Sequence, residues 1–235
     1  MSAARRAARA GRNLLIALLI GVVIIVAIVI AYVTGRNTGA TPAEPTSASV
    51  ATVTATASGG STDTDAAPTG CLGGSARNIG MLLAAQKSAP HSAYGAVEVA
   101  TAFFRWAYRY PFPSTSESQA VAQEVIAPAA SAAFKDVPGS YANAGDITGG
   151  QVSKGTPFHL STTSGLWVIR SGSSSDRVTV DLNAAYVVDG AVSPTKTAAI
   201  SATLVWTSGG WHVLSEQQPD TSALSAGGTQ FTAGC

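Results

Sequence analysis

Apolar and polar positions follow three regimes along this chain. The first is the twenty-residue run Leu14–Val33 (LLIALLIGVVIIVAIVIAYV), which carries no charge. At ~1.5 Å rise per residue it predicts a helix of ~30 Å, the thickness of a bilayer core. The second regime, residues 34–70, is Thr, Ser, Ala, Gly and Pro with few large apolar side chains. Such a segment buries too little surface to offset its ordering entropy, so it predicts a disordered stalk. As a coil it has an r.m.s. span of ~30–35 Å.

The third regime starts at Cys71 and changes character halfway. A short Ala/Leu segment around Asn78–Gln86 comes first. From His91 to about Tyr110, Val97, Ala100, Phe104 and Tyr108 recur at helical spacing, with Phe103 and Ala107 beside them. Pro111 and Pro113 end that helix. Ser114–Ser116 can cap a second helix running from Glu117 to about Ile126, and Ala129–Lys135 predicts a further turn or two. After a turn-rich stretch the period becomes two. Leu166–Ser171 is apolar and partly β-branched. In Arg177–Val188, Val178, Val180, Leu182 and Tyr186 share one face, while Thr179, Asp181 and Asn183 share the other. Lys196–Thr207 repeats the pattern with Ile200, Ala202, Leu204 and Trp206, and Trp211–Gln217 follows a Ser-Gly-Gly turn. This alternation, jointed by Gly, Ser and Asp, is a hairpin signature with one buried and one wet face.

Helices followed by an antiparallel meander predict an α+β domain with N-terminal helices packed on one sheet face. The expected partition is a basic tail (1–13), a transmembrane helix (14–33), a stalk (34–70) and a folded domain (71–235). The layout over about Ala89–Gln217, with Gly209-Gly210-Trp211-His212-Val213 in the last long strand, resembles the nuclear-transport-factor-2-like superfamily. That resemblance implies a cone in which helices lie on a curved antiparallel sheet. Tail, span, stalk and external cone together look like the bitopic scaffold subunit of type IV secretion and conjugation machines. They are similar also to the membrane proteins that accompany Mce lipid importers in actinobacteria, whose high-GC genomes suit the Ala/Thr/Gly-rich composition.

Charge orients this layout. Arg5, Arg6, Arg9 and Arg12 precede the apolar run with no acid among them. The positive-inside bias then places the N-terminus in the cytoplasm and everything from about Gly35 outside. A cleaved signal peptide is the competing reading, against which the length of the run and the Tyr32–Arg36 sequence behind it both count. Outside the cytoplasm a disulfide can persist, and Cys71 and Cys235 bracket the folded part. One bridge closing the domain is the expectation; two unrelated thiols is the alternative. Lys plus Arg number 14 against 13 Asp plus Glu, for a net charge of +1. No basic stripe stands out after Cys71, which argues against direct nucleic-acid binding.

Candidate chemistry is sparse. No HExxH, CxxC, GxSxG or phosphate-binding glycine loop occurs. Three scattered histidines and two distant cysteines do not make a zinc site, and no metal or cofactor is expected. A cone-fold enzyme would need a carboxylate or His inside the cone with an oxyanion donor such as Tyr. Asp181 reads as a solvated strand residue, His212 as a half-exposed one, His159 as a strand-start boundary residue or a pocket base, His91 as an exposed helix-entry residue, and Tyr186 as core. The aromatic set Phe103, Phe104, Trp106, Tyr108 and Tyr110 reads mainly as helix–sheet packing. Trp106 lies off the apolar stripe, however, and with Arg105 and Arg109 it makes a candidate partner surface.

The resulting expectation is a non-enzymatic, single-pass scaffold of a conjugative-transfer or type IV-like secretion complex. Its partners would be the membrane, other envelope-complex proteins and further copies of itself. The alternative is an accessory protein of a lipid transporter with an apolar cavity in the cone; a cone-fold enzyme stands third.

Overall fold

A computed structural model describes residues 65–235. Helices α1 (Ile79–Ser88), α2 (Ala93–Ala107), α3 (Thr115–Glu124), α4 (Ala132–Lys135) and α5 (Val137–Ala142) precede strands β1 (Phe158–Ile169), β2 (Arg177–Val188), β3 (Ala191–Thr207) and β4 (Gly210–Gln217). Helix α6 (Thr221–Gly227) and the two-residue strand β5 (Thr229–Gln230) close the chain. The strands form one antiparallel sheet in the order β4-β3-β2-β1-β5. The expected α+β order of helices and then meander is present.

The transmembrane part of the expected fold needs correction. Among the described residues no helix is long and apolar enough to cross a membrane. The run Leu14–Val33, the tail arginines Arg5, Arg6, Arg9 and Arg12, and the stalk as far as residue 64 lie outside the described residues.

Local chemistry sets the helix boundaries. Asn78 and Ser92 cap α1 and α2 through side-chain oxygens that accept from Met81 N and Gly95 N. Ser114 and Glu117 form a reciprocal capping box on α3. Helix α2 then packs against all four long strands and α1. It is buried on every side, including Glu98, Thr101, Arg105 and Trp106, and not along one stripe. The inner sheet face supplies Leu160, Val180, Leu182, Tyr186, Ile200, Leu204, Trp211 and Val213. At the β4 edge, segment 125–127 bonds to Val213 as an isolated parallel bridge, which shields that edge.

The outer sheet face is not uniformly wet, because the chain after β4 crosses it. Helix α6 packs on β1 and β2, β5 pairs with β1 through Leu166–Gln230 and Trp167–Thr229, and Leu224 and Phe231 are buried. The same strap returns to the start of the domain. Thr232 N and Gly234 N donate to Pro68 O (3.0 Å) and Thr69 O (2.7 Å). Glu98 on α2 accepts from Thr69 Oγ1 (2.7 Å) and Gly70 N (3.2 Å). The Cys71–Cys235 disulfide, with Cα atoms 5.4 Å apart, joins the two segments, as expected from sequence.

Replacing both cysteines by serine is expected to remove ~2–4 kcal/mol of stability. Equilibrium urea unfolding of the oxidised wild type and the double variant measures it. Coincident transitions would mean that the clamp does not constrain the unfolded chain.

Candidate functional site

The C-terminal end of α2 and the end of β4 frame a pocket of ≈550 Å³. Phe103, Trp106 and Ala107 of α2 form its back, Phe134, Val137 and Tyr141 its helical side, and Glu216 and Gln217 of β4 its sheet side. Its walls are mostly apolar, and it is partly open to solvent. The pocket exists because α4 and α5 are short. Pro128 and Asp136 interrupt the helical pattern and Pro138 sits in the first turn of α5, so two short helices follow α3.

One polar pair faces this apolar space. The Tyr108 hydroxyl donates to Glu216 Oε1 at 2.8 Å. Burial pushes the Glu216 carboxyl above the usual carboxylate range, while the Tyr108 bond pulls the other way. Burial, with Glu216 beside it, pushes the Tyr108 phenol up strongly. Tyr141 is pushed up by burial as well, and its hydroxyl donates to Ala107 O at 2.9 Å. The arrangement therefore offers a ligand an apolar wall and a hydrogen-bonding carboxyl at the rim. No feature of the sequence marked Glu216: it falls at the end of the last long strand, and only the fold brings it opposite Tyr108.

The candidates singled out from sequence are dispersed. Arg105 and Trp106 are both 0% exposed, so they do not form the expected partner surface. Trp106 packs against Phe103 and edge-on against Tyr141, with ring centroids 6.0 and 5.8 Å apart. Arg109 is half-buried and pairs with Glu117 of the α3 cap at 2.8 Å. Asp181 does point to the outer face, but it is 0% exposed and not solvated. The strap encloses it, and Arg170 grips both of its oxygens through Nε at 3.0 and 2.8 Å.

His159 is half-buried at the start of β1, away from the pocket lining. His212 is half-buried, with Nδ1 3.1 Å from Thr207 Oγ1. His91 is exposed at the entry to α2, as expected, and Ser92 behind it is the cap. His91 stacks on Trp206 at 4.2 Å between centroids and pairs with Asp176 at 2.7 Å. Tyr186 is core as expected, and burial pushes its phenol up to about 12. Among the described residues no group of three His, Cys, Asp or Glu side chains could hold a metal ion.

No family model matches the chain, and comparison with curated proteins and with solved structures finds no match.

Proposed function

We propose that this domain is a non-enzymatic binding module at the outer side of the cell membrane, and that its pocket takes the apolar part of a ligand as an accessory component of a lipid-transport complex. The observation that carries this reading is the partly open ≈550 Å³ pocket, walled mainly by aromatic and aliphatic side chains, with the Tyr108–Glu216 pair, Ser140, Gln217 and Gln218 as its polar groups. Small-molecule sites characteristically combine about 300–1,000 Å³ of mainly apolar concavity with a few placed polar groups. The disulfide supports an oxidising compartment for the domain. The likeness to nuclear-transport-factor-2-like cones supports a cavity between helices and sheet, but fold analogy alone does not supply function.

A second reading keeps the domain as a scaffold of a conjugative-transfer or type IV-like secretion complex. It draws support from the β2–β3 hairpin, where Val192, 50% exposed, is the only exposed large hydrophobic side chain among the described residues.

Ala144 lines the pocket from a half-buried position, so Ala144→Trp fills the space without entering the core. Titration with the neutral apolar dye Nile red is expected to saturate on the wild type. Binding to Ala144→Trp is expected to weaken by about tenfold, roughly 1.4 kcal/mol, at unchanged Tm. Equal binding by both proteins would place the dye elsewhere and remove the support for the pocket.

A further inference from the structure

On the helix face opposite the pocket, α2 carries a second polar centre. At 100° per residue Arg105 projects away from Phe103, Trp106 and Ala107, toward the loop that follows Cys71. Its Nη2 donates to Gly74 O (3.0 Å) and Ala76 O (3.3 Å). Its Nε and Nη1 are buried and have no partner, and the whole side chain is 0% exposed. Arg77, from the same loop, donates through Nη1 to Ser75 O (3.2 Å) and through Nη2 to Leu160 O (3.4 Å), and its Nε is also buried without a partner.

The two guanidiniums sense each other. Burial and then the neighbouring Arg77 hold the Arg105 guanidinium down at about 10. Burial, Arg77 and Arg105 together lower His159. Glu98 is the carboxylate felt by Arg105, but its oxygens are already taken by Thr69 and Gly70. Among the described residues neither Arg77 nor Arg105 is in an ion pair.

A buried guanidinium with unmet N–H groups is costly unless something pairs with it. Here three unpartnered guanidinium nitrogens and two like charges share one place. An oxyanion answers both needs, because it supplies several acceptors and negative charge, and guanidinium forks match its geometry. The cover is thin: Gly74, Ser75 and Ala76 are exposed, so the loop stands between the cluster and solvent. Gly73 fixes the path of that loop. Its φ is +83°, and a Cβ there would lie 2.1 Å from Met81 O. We propose that Arg77 and Arg105 form a binding site for a phosphate-class oxyanion beneath the Cys71–Asn78 loop. The site does not share a residue with the apolar pocket and stands independently of the function proposed for it.

The test compares thermal unfolding of the full-length chain in sodium phosphate and in sodium chloride at matched ionic strength. Phosphate at ten times its Kd is expected to raise Tm by about 3–6 °C in the wild type. Arg77→Gln, at a half-buried position, is expected to fold and to lose that increment. Arg105→Gln removes a fully buried group and is not relied upon. A second arm asks for the source of the anion. Retention on phosphatidate vesicles that is lost in Arg77→Gln assigns a lipid headgroup, whereas a phosphate-dependent Tm rise without such retention assigns a free anion. Either outcome supports the site. No phosphate-specific rise in the wild type, or one that survives in Arg77→Gln, overturns it.

Discussion

Trp106→Ala is expected to lower the unfolding free energy by ~3–5 kcal/mol, the range for truncating a large buried aromatic. The side chain is fully enclosed in a helix packed on all sides, and it touches Phe103 and Tyr141. Deleting it removes both aromatic contacts and extends the pocket that Trp106 backs into the space between α2 and α5. The indole Nε1 has no hydrogen-bond partner, so Trp106→Phe loses no bond and is expected to cost only ~1–2 kcal/mol. Urea unfolding of the three proteins measures both differences. A loss below ~0.5 kcal/mol for Trp106→Ala, typical of surface positions, would return the residue to the surface role suggested by its place off the apolar stripe.

Arg170→Ala is the second large effect, at ~3 kcal/mol. Asp181 is fully buried on the outer face, and Arg170 supplies both of its charged hydrogen bonds while also donating through Nη2 to Gln218 O at 3.0 Å. Removing Arg170 leaves a carboxylate sealed under the strap without its partner, which costs ~3–5 kcal/mol for wholly buried pairs. The low end applies because the Arg170 side chain is 31% exposed and water already screens it. Replacing both groups, as Arg170→Met with Asp181→Val, is expected to be milder than Arg170→Ala alone, since no buried charge is stranded. Chemical unfolding of single and double variants gives the coupling energy. Equal losses in both would show that the pair is held by packing and not by charge.

These two residues mark where the sequence was hard to read. Period-two alternation located β2, β3 and β4, because each strand has one face committed to the core and a register slip would expose it. Ser114–Ser116 announced the α3 cap, and Cys71 and Cys235 their bridge. Burial by a third layer leaves no such trace. Helix α2 shows an apolar stripe, and Arg105 and Trp106 lie off it, which for a one-sided helix means solvent. The loop after Cys71, together with α1, α4 and α5, covers the other sides of α2, and those contacts are distant in sequence. Asp181 reads as solvated for the same reason. The Gln218–Phe231 strap that encloses it is short, polar and without helical periodicity, so nothing before folding shows that it will lie on the sheet. Strand β1 begins at Phe158, well before the apolar Leu166–Ile169 stretch, because its Ser/Thr-rich half is satisfied by β2, the strap and a register shift between Ser161 and Leu166. The pocket depends on the breaks around Pro128, Asp136 and Pro138. These were visible as helix breakers, but not as the makers of a cavity.

The most direct test of the ligand-binding account is mass spectrometry of organic extracts from the full-length protein purified from its native cells, with Ala144→Trp purified in parallel. The account predicts an apolar or amphiphilic molecule at near-stoichiometric amount in the wild type and its depletion in the variant. Identical extracts from the two proteins, alongside copurified secretion or conjugation subunits, would contradict it and make the scaffold the function of the domain.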